Sequence, residues 1–187
     1  MKQYRNSERT KKWIRRAFIE LISEKKTIGK ITVNELAERA DITKTTFYYH
    51  YDDIYAVAEE FENELVSKLN TTLDEIEKEN PTDYSEYIRK ILEFIKENEE
   101  NYRLAVNATG LTFFASKLKK IFSKRMVDTA MPWGFSTDYE KRNVQVYFFV
   151  SACTDTIIQY LKGELSSSID TVGDVVIEAV EKLKRND

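Results

Sequence analysis

The chain has 187 residues, with 29 Lys or Arg, 32 Asp or Glu, five Gly, two Pro, one Cys and one His. Average usage would give about 13 Gly and about 9 Pro, so this shortage of turn residues predicts long helices. A single Cys and a single His exclude an internal disulfide and a Cys/His zinc site.

Targeting and membrane signals are missing from the sequence pattern. No apolar run approaches the roughly 18 residues of a membrane-spanning helix. The basic start, MKQYRNSERTKKW, lacks the apolar core of a secretory signal. We therefore expect a soluble, cytoplasmic, all-helical protein.

The charge is distributed unevenly along the chain. Residues 1–55 hold 12 Lys or Arg against 8 Asp or Glu, a net charge of +4, and the remainder has 17 against 24, a net of −7. A basic segment on an acidic body is the pattern expected when one end meets a polyanion.

The first predicted helix runs from Ser7 to Lys26. Ser7 can cap its open N–H groups, and Gly29 suits a helix stop. Apolar residues at helical spacing define its buried face; they are Ile14, Ala17, Phe18, Leu21 and Ile22.

Two short helices follow, each with its own start signal. Thr32 and Glu35 form a capping box for a helix over Val33–Arg39. Thr43 caps the next segment, which extends from Lys44 to Tyr51. Three helices, with the second and third short and tightly joined, predict a helix-turn-helix.

The remainder of the chain predicts a second helical body. A long helix begins at Asp52-Asp53 and is broken by Asn80-Pro81. Shorter helical patterns then start near Tyr84, Tyr102 and Leu111, and a loop surrounds Pro132.

The last two helices favour a dimer. The segment Tyr139–Lys162 is apolar on nearly every side, and the final helix has one narrow apolar stripe. A helix-pair dimer interface explains both patterns, whereas the alternative is that both helices close the core of one chain. The predicted interface residues are Val150, Ile157, Ile158, Leu161, Val172, Val176, Val180 and Leu183.

The third helix carries the candidate DNA contacts. In a helix-turn-helix its first residues face base edges, and Lys44, Thr45 and Thr46 can donate to or contact those edges. Phe47 is expected to face inward. Hydroxyls and an imidazole suited to phosphate oxygens are also present; the candidates are Thr32, Thr43, Tyr48, Tyr49 and His50.

The segments Thr32–Ala40 and Ile42–Tyr51 resemble the DNA-binding region of the TetR family of transcriptional regulators. The resemblance implies a homodimer of about nine helices per chain that binds a roughly palindromic operator in double-stranded DNA. It implies a helix-turn-helix domain over residues 1–53 and an effector-binding and dimerisation domain over residues 54–187. Most family members repress until a small molecule binds the second domain.

The motif departs from the family at two places. The family's usual turn Gly is Asp41 here, which requires Asp to take a left-handed or strained conformation. A Lys that often follows the motif is replaced within Asp52-Asp53-Ile54. These acids favour an alternative function, a helical small-molecule-binding or protein-interaction module with weak or lost DNA binding.

The second domain is rich in large side chains that could line an effector pocket or simply fill the core. The pocket candidates are Phe94, Tyr102, Phe113, Phe114, Phe122, Trp133, Tyr147, Phe148 and Asp155. A buried Asp155 could receive a cationic ligand or bond across a dimer. No Gly-rich phosphate loop, GxSxG or HExxH is present, so we expect no enzyme, cofactor or metal.

Overall fold

The computed structural model describes residues 2–79, 83–107, 114–128 and 134–184. In these ranges the chain is all-helical, with nine α-helices, one 3₁₀ helix at Ile28–Lys30 and no strand, which confirms the predicted fold class. The α-helices are α1 (Lys2–Lys25), α2 (Val33–Arg39), α3 (Lys44–His50), α4 (Ile54–Lys78), α5 (Tyr84–Glu97), α6 (Glu99–Asn107), α7 (Phe114–Asp128), α8 (Tyr139–Lys162) and α9 (Ile169–Lys184).

The chain divides into two compact units. Unit 1 takes in the chain up to Leu65 and the end of α6 from Leu104, and unit 2 takes in Val66–Arg103 and the helices from α7 onward. The boundary predicted from sequence, between residues 53 and 54, does not coincide with this division. None of the described helices combines the length and hydropathy required of a membrane-spanning segment.

Unit 1 is built around α1, which buries the predicted apolar stripe. The helix begins at Lys2, so Ser7 lies inside it and is not its cap. It ends at Lys25, and Lys26 takes the left-handed conformation, with φ of 60°. The predicted end at Lys26 is therefore one residue late, and Gly29, expected to stop the helix, lies instead within the 3₁₀ helix.

The three helices that follow begin at side-chain caps. Thr32 accepts from the Glu35 amide while the Glu35 carboxylate accepts from the Thr32 amide, which is the predicted capping box. The Thr43 hydroxyl accepts from the Thr46 amide at 3.1 Å. Asp53 accepts from the Ala56 amide at 2.8 Å and so caps α4. These caps determine where each helix starts.

Unit 2 packs α7 against α8 and α5 against α9. Asp83 caps α5 and Asp138 caps α8. Gly163 ends α8 in the left-handed conformation, with φ of 78°. The predicted bounds of α8 match the structure, whereas α6 begins at Glu99, before the predicted Tyr102.

Gly163 and Gly29 allow the backbone conformation to be tested without a packing change. A Cβ added at either position would meet nothing within 4 Å, but only Gly163 has a positive φ. Gly163→Ala should lower the free energy of unfolding by about 1 kcal/mol, because Ala is strained in the left-handed region. Gly29→Ala should raise it by about 0.5 kcal/mol by restricting the unfolded chain. Denaturant unfolding measures both, and equal effects would contradict the prediction.

Candidate nucleic-acid interface and internal cavity

Helix α3 has one buried face and one exposed face. Phe47 is fully buried, as predicted, and Tyr51 beyond the helix end is buried as well. Lys44 and Thr45 are exposed at the start of the helix. Tyr48 and Tyr49 are 56% and 74% exposed. The polar and phenolic groups therefore lie on the side of α3 that faces away from unit 1's core.

The candidate phosphate-contacting threonines are also helix caps. The Thr32 hydroxyl accepts from the Glu35 amide and donates to the Glu35 carboxylate at 3.0 Å. The hydroxyls of Thr43 and Thr46 lie 2.9 Å apart and share one hydrogen bond. In this structure these hydroxyls form hydrogen bonds with backbone amides and with neighbouring side chains. A phosphate would compete with those hydrogen bonds.

His50 is half-buried at the end of α3. Its ring meets Tyr49 edge to face, with centroids 5.1 Å apart. Burial, followed by the positive charge of Lys11, lowers the pKa of the imidazole from its ordinary value of 6.5. The ring is therefore mostly neutral at neutral pH, and an anion placed beside it would favour its protonated form.

A cluster not predicted from the sequence lies beneath α3. Lys11 Nζ is 2.9 Å from Glu60 Oε2 and 5.3 Å from the centre of the Tyr51 ring. Arg15 pairs with Glu60 and with Glu64. Burial raises the pKa of the Tyr51 phenol, which stays protonated. These pairs join α1 to α4 around the aromatic end of the motif.

The acidic residues at which the motif departs from the family pattern are Asp41, Asp52 and Asp53, and two of them have a clear role in the local backbone structure. Asp41 adopts φ of 53°, so it takes the left-handed conformation that its place in the turn requires. Asp53 uses one carboxylate oxygen for the cap of α4. Asp52 is exposed between α3 and α4. Two of the three acids are thus explained by local backbone geometry.

Unit 2 contains a partly open cavity of about 80 Å³. A second hollow of about 20 Å³ shares Phe122, Thr154 and Ile157 with it. The larger cavity lies among α5, α7, α8 and α9 and is lined mainly by apolar side chains. Drug-sized ligands need roughly 300 Å³ or more, so a larger molecule would have to displace wall residues.

The polar edge of this cavity is formed by Arg125 and Tyr87. Arg125 lies 2.6 Å from an Asp74 carboxylate oxygen and 2.8 Å from one of Glu77. It also donates to the Asn70 side chain at 2.7 Å. The Tyr87 hydroxyl donates to Glu77 at 3.2 Å. The guanidinium is therefore neutralised by residues of α4.

Of the nine predicted pocket residues, two line the hollows, and two others pack against one of these. Phe122 lines both hollows and Tyr102 lines the smaller one. Phe94 and Phe114 line neither hollow; they are buried rings that contact Tyr102, with centroids 6.2 and 5.9 Å from it. Phe113 and Trp133 lie outside the described residues.

The remaining pocket candidates are not at the cavity. Tyr147 and Phe148 are 66% and 75% exposed on the outer face of α8. Asp155 is also exposed and pairs with Lys119 at 2.9 Å. The expectation of a buried carboxylate is wrong, because position 155 points away from the cavity side of α8, where Val150, Cys153 and Thr154 lie.

Seven of the eight residues predicted for the dimer interface lie inside one chain. Ile157, Val150 and Val176 line the cavity. Four others are buried, and these are Ile158, Leu161, Val172 and Val180. The Leu183 side chain lies outside the described residues. The apolar side chains left exposed on α8 and α9 are instead Val144, Tyr147, Phe148 and Val175.

Among the solved structures that share this fold, two are crystal structures of γ-butyrolactone receptors described as ArpA-like proteins. The first is 12% identical with a TM-score of 0.60, covering 97% of this chain and 99% of that chain. The second is 15% identical with a TM-score of 0.56, covering 97% and 100%. No curated protein sequence matches.

A TetR C-terminal family model, described as "Transcriptional regulator C-terminal region", matches residues 82–181. The match spans more than half of the chain and includes the helices that surround the cavity. The chain therefore belongs to the TetR family of transcriptional regulators.

Proposed function

We propose that this transcriptional regulator is a cytoplasmic homodimeric repressor, without enzymatic activity, that binds a palindromic operator and releases it when a small molecule enters unit 2. The observation that carries the DNA-binding part is the exposed face of α3. Lys44, Thr45, Tyr48 and Tyr49 are all exposed there, although Phe47 and Tyr51 of the same segment are buried.

The exposed face of α3 supports base contacts from its first turn and phosphate contacts from the next turn. Lys44, Thr45 and Thr46 occupy the first turn, which faces base edges when such a helix enters the major groove. The phenolic hydroxyls of Tyr48 and Tyr49 and the His50 imidazole follow one turn later and suit phosphate oxygens. Thr32 and Thr43 join them only if their hydroxyls give up part of their capping bonds.

The dimer would use the outer face of α8 with α9. Val144, Tyr147 and Phe148 recur at helical spacing on one face and are largely exposed. Val175 on α9 is 57% exposed. A second copy is the occupant that family membership favours, since it supplies the two-fold symmetry that a palindrome requires.

The cavity in unit 2 is the proposed effector site. The two similar solved structures are of γ-butyrolactone receptors, proteins named for a small molecule. At 12% and 15% identity they share only the fold, so they do not identify the effector of this chain. The proposal is that this chain, too, responds to a small molecule in its own cavity.

Selection from a random duplex library tests the proposed function directly. We expect the wild-type protein to recover a palindrome whose half-sites lie about one helical turn apart. Binding should weaken with salt, with a log–log slope near −0.9 for each phosphate neutralised. No enrichment at low or high salt, with a folded dimer in hand, would favour the alternative module that has lost DNA binding.

Variants in α3 should separate base contacts from phosphate contacts. Lys44→Ala should relax the recovered sequence at one position in each half-site, at a cost of about 1–3 kcal/mol. Tyr48→Phe should weaken all sequences alike, because it removes only a phosphate contact. Lys78→Ala, an exposed lysine at the end of α4, is the charge-matched control. An unchanged consensus for Lys44→Ala would contradict the assignment.

DNA affinity should depend on pH through His50. Its pKa lies below 6.5 in the free protein, and a neighbouring phosphate would raise it by stabilising the imidazolium. The contribution of the His50 imidazolium to DNA affinity is then fully present below the pKa of His50 in the free protein. It is lost as the pH rises through the pKa of His50 in the complex. His50→Gln should flatten this pH profile.

The imidazole titration can be followed directly by NMR, since His50 is the only histidine in the sequence. Its pKa should rise when operator DNA is added. An unchanged pKa in the complex would place His50 away from phosphate.

Charge placed on the outer face of α8 should break the dimer. Phe148→Asp introduces a carboxylate at a position that is 75% exposed in one chain, so folding of the chain should be little affected. Sedimentation should then show a monomer and weakened operator binding. Tyr55→Asp, at a position that is 55% exposed in unit 1, should leave the dimer intact. A dimeric Phe148→Asp protein would exclude this face.

A further inference from the structure

One polar side chain on the cavity wall stands apart from the rest. Thr154 is only 4% exposed and lines both hollows of unit 2. Within the described parts of the chain its hydroxyl has no hydrogen-bond partner. Thr156 on the same helix, by contrast, donates to the Ala152 carbonyl at 2.8 Å. The hydroxyl oxygen is not among the fully buried atoms that lack a partner, so it is open to the cavity, where a ligand could accept a hydrogen bond from it.

The other polar groups on the wall are already engaged. The Tyr87 hydroxyl is bonded to Glu77. Arg125 contacts the carboxylates of both Asp74 and Glu77. Burial raises the pKa of the Cys153 thiol to about 12, so the thiol is neutral. An ionic ligand would find no available counter-charge among these groups, and burying an unpaired charge is costly.

The size of the cavity limits the ligand. The two hollows measure about 80 and about 20 Å³. A dry cavity of roughly 150 Å³ in another protein is large enough to hold benzene. Because Phe122, Thr154 and Ile157 are common to both walls, the two hollows adjoin, and a single small ring would fit only after wall residues such as Phe122 move aside.

We propose that this cavity selects an uncharged, compact apolar molecule with one hydrogen-bond acceptor, and that the Thr154 hydroxyl donates to that acceptor. The inference rests on the proposed effector role of unit 2 and adds the chemical class of the ligand. Thr154 is then the residue that distinguishes a carbonyl or ether compound from a hydrocarbon of the same shape.

Two probes of matched shape test the proposal on the full-length protein. Cyclopentanone carries an exocyclic carbonyl oxygen, and methylenecyclopentane carries an exocyclic carbon in its place. Each is titrated by NMR into methyl-labelled protein, with the Ile157 and Val150 methyl signals as reporters, because both residues line the cavity. Cyclopentanecarboxylate provides the charged comparison.

Thr154→Val keeps the shape of the side chain and removes the hydroxyl. It should weaken cyclopentanone binding by about two- to tenfold and leave methylenecyclopentane binding unchanged or tighter. Thr154→Ser, which keeps the hydroxyl, should retain the preference for the ketone. The fold should survive Thr154→Val, since the hydroxyl makes no hydrogen bond within the described residues that the substitution would break.

The other outcomes overturn the proposal. Equal effects of Thr154→Val on the two rings would remove Thr154 as the donor. Binding of neither ring would exclude the site, and cyclopentanecarboxylate binding as tightly as cyclopentanone would exclude an uncharged class. Operator binding by the same variants is measured separately, so a protein that binds the ketone through Thr154 but no DNA would refute the proposed function alone.

Discussion

Helix α8 carries apolar side chains around nearly its whole circumference, and a single chain can cover only part of them. One side, which includes Val150 and Leu161, is buried within unit 2. The opposite side leaves Tyr147 and Phe148 exposed. Burial of apolar surface contributes about 25 cal/mol per Å², so exposed rings of this size favour association with another surface. Both the cavity and the proposed dimer face follow from the excess of apolar residues on this one helix.

Unit 1 meets a different constraint, because α2 and α3 have only seven residues each. Helices this short are unstable in isolation, so tertiary contacts and caps must hold them. Free backbone amides at the start of α2 are bonded by the capping box of Thr32 and Glu35, and at the start of α3 by the hydroxyl of Thr43. Phe47, fully buried, anchors α3. The threonines proposed to contact phosphates therefore also cap α2 and α3, and variants at Thr32 or Thr43 would affect stability and any DNA binding together.

The sequence predicted the bounds of α2 and α8 but misplaced the start of α1, where the expected cap, Ser7, lies inside the helix. The bounds of α2 and α8 and the inward position of Phe47 are confirmed. The sequence could not orient α8, because a helix that is apolar on all sides has no stripe to show which face turns inward. The sequence pattern therefore places the rings of Tyr147 and Phe148 at the pocket and Val150 and Ile157 at the dimer, whereas in the structure the rings are exposed and Val150 and Ile157 line the cavity. The cluster of Lys11 and Glu60 was missed for another reason, since it joins residues 49 positions apart.

The extent of unit 1 also changes the electrostatics of DNA binding. Residues 1–55 have a net charge of +4, but α4 adds Glu59, Glu60, Glu62 and Glu64, so residues 1–65 hold 12 basic and 12 acidic side chains. Arg39 is further occupied by Glu24 at 2.8 Å. Counterion release grows with the number of phosphates that cationic groups neutralise, and most of the phosphate contacts proposed for this chain come from neutral side chains such as Tyr48 and Tyr49. Recognition would then depend on the placement of a few groups on α3, and the salt dependence of operator binding would be shallow for a protein that is nevertheless sequence-specific.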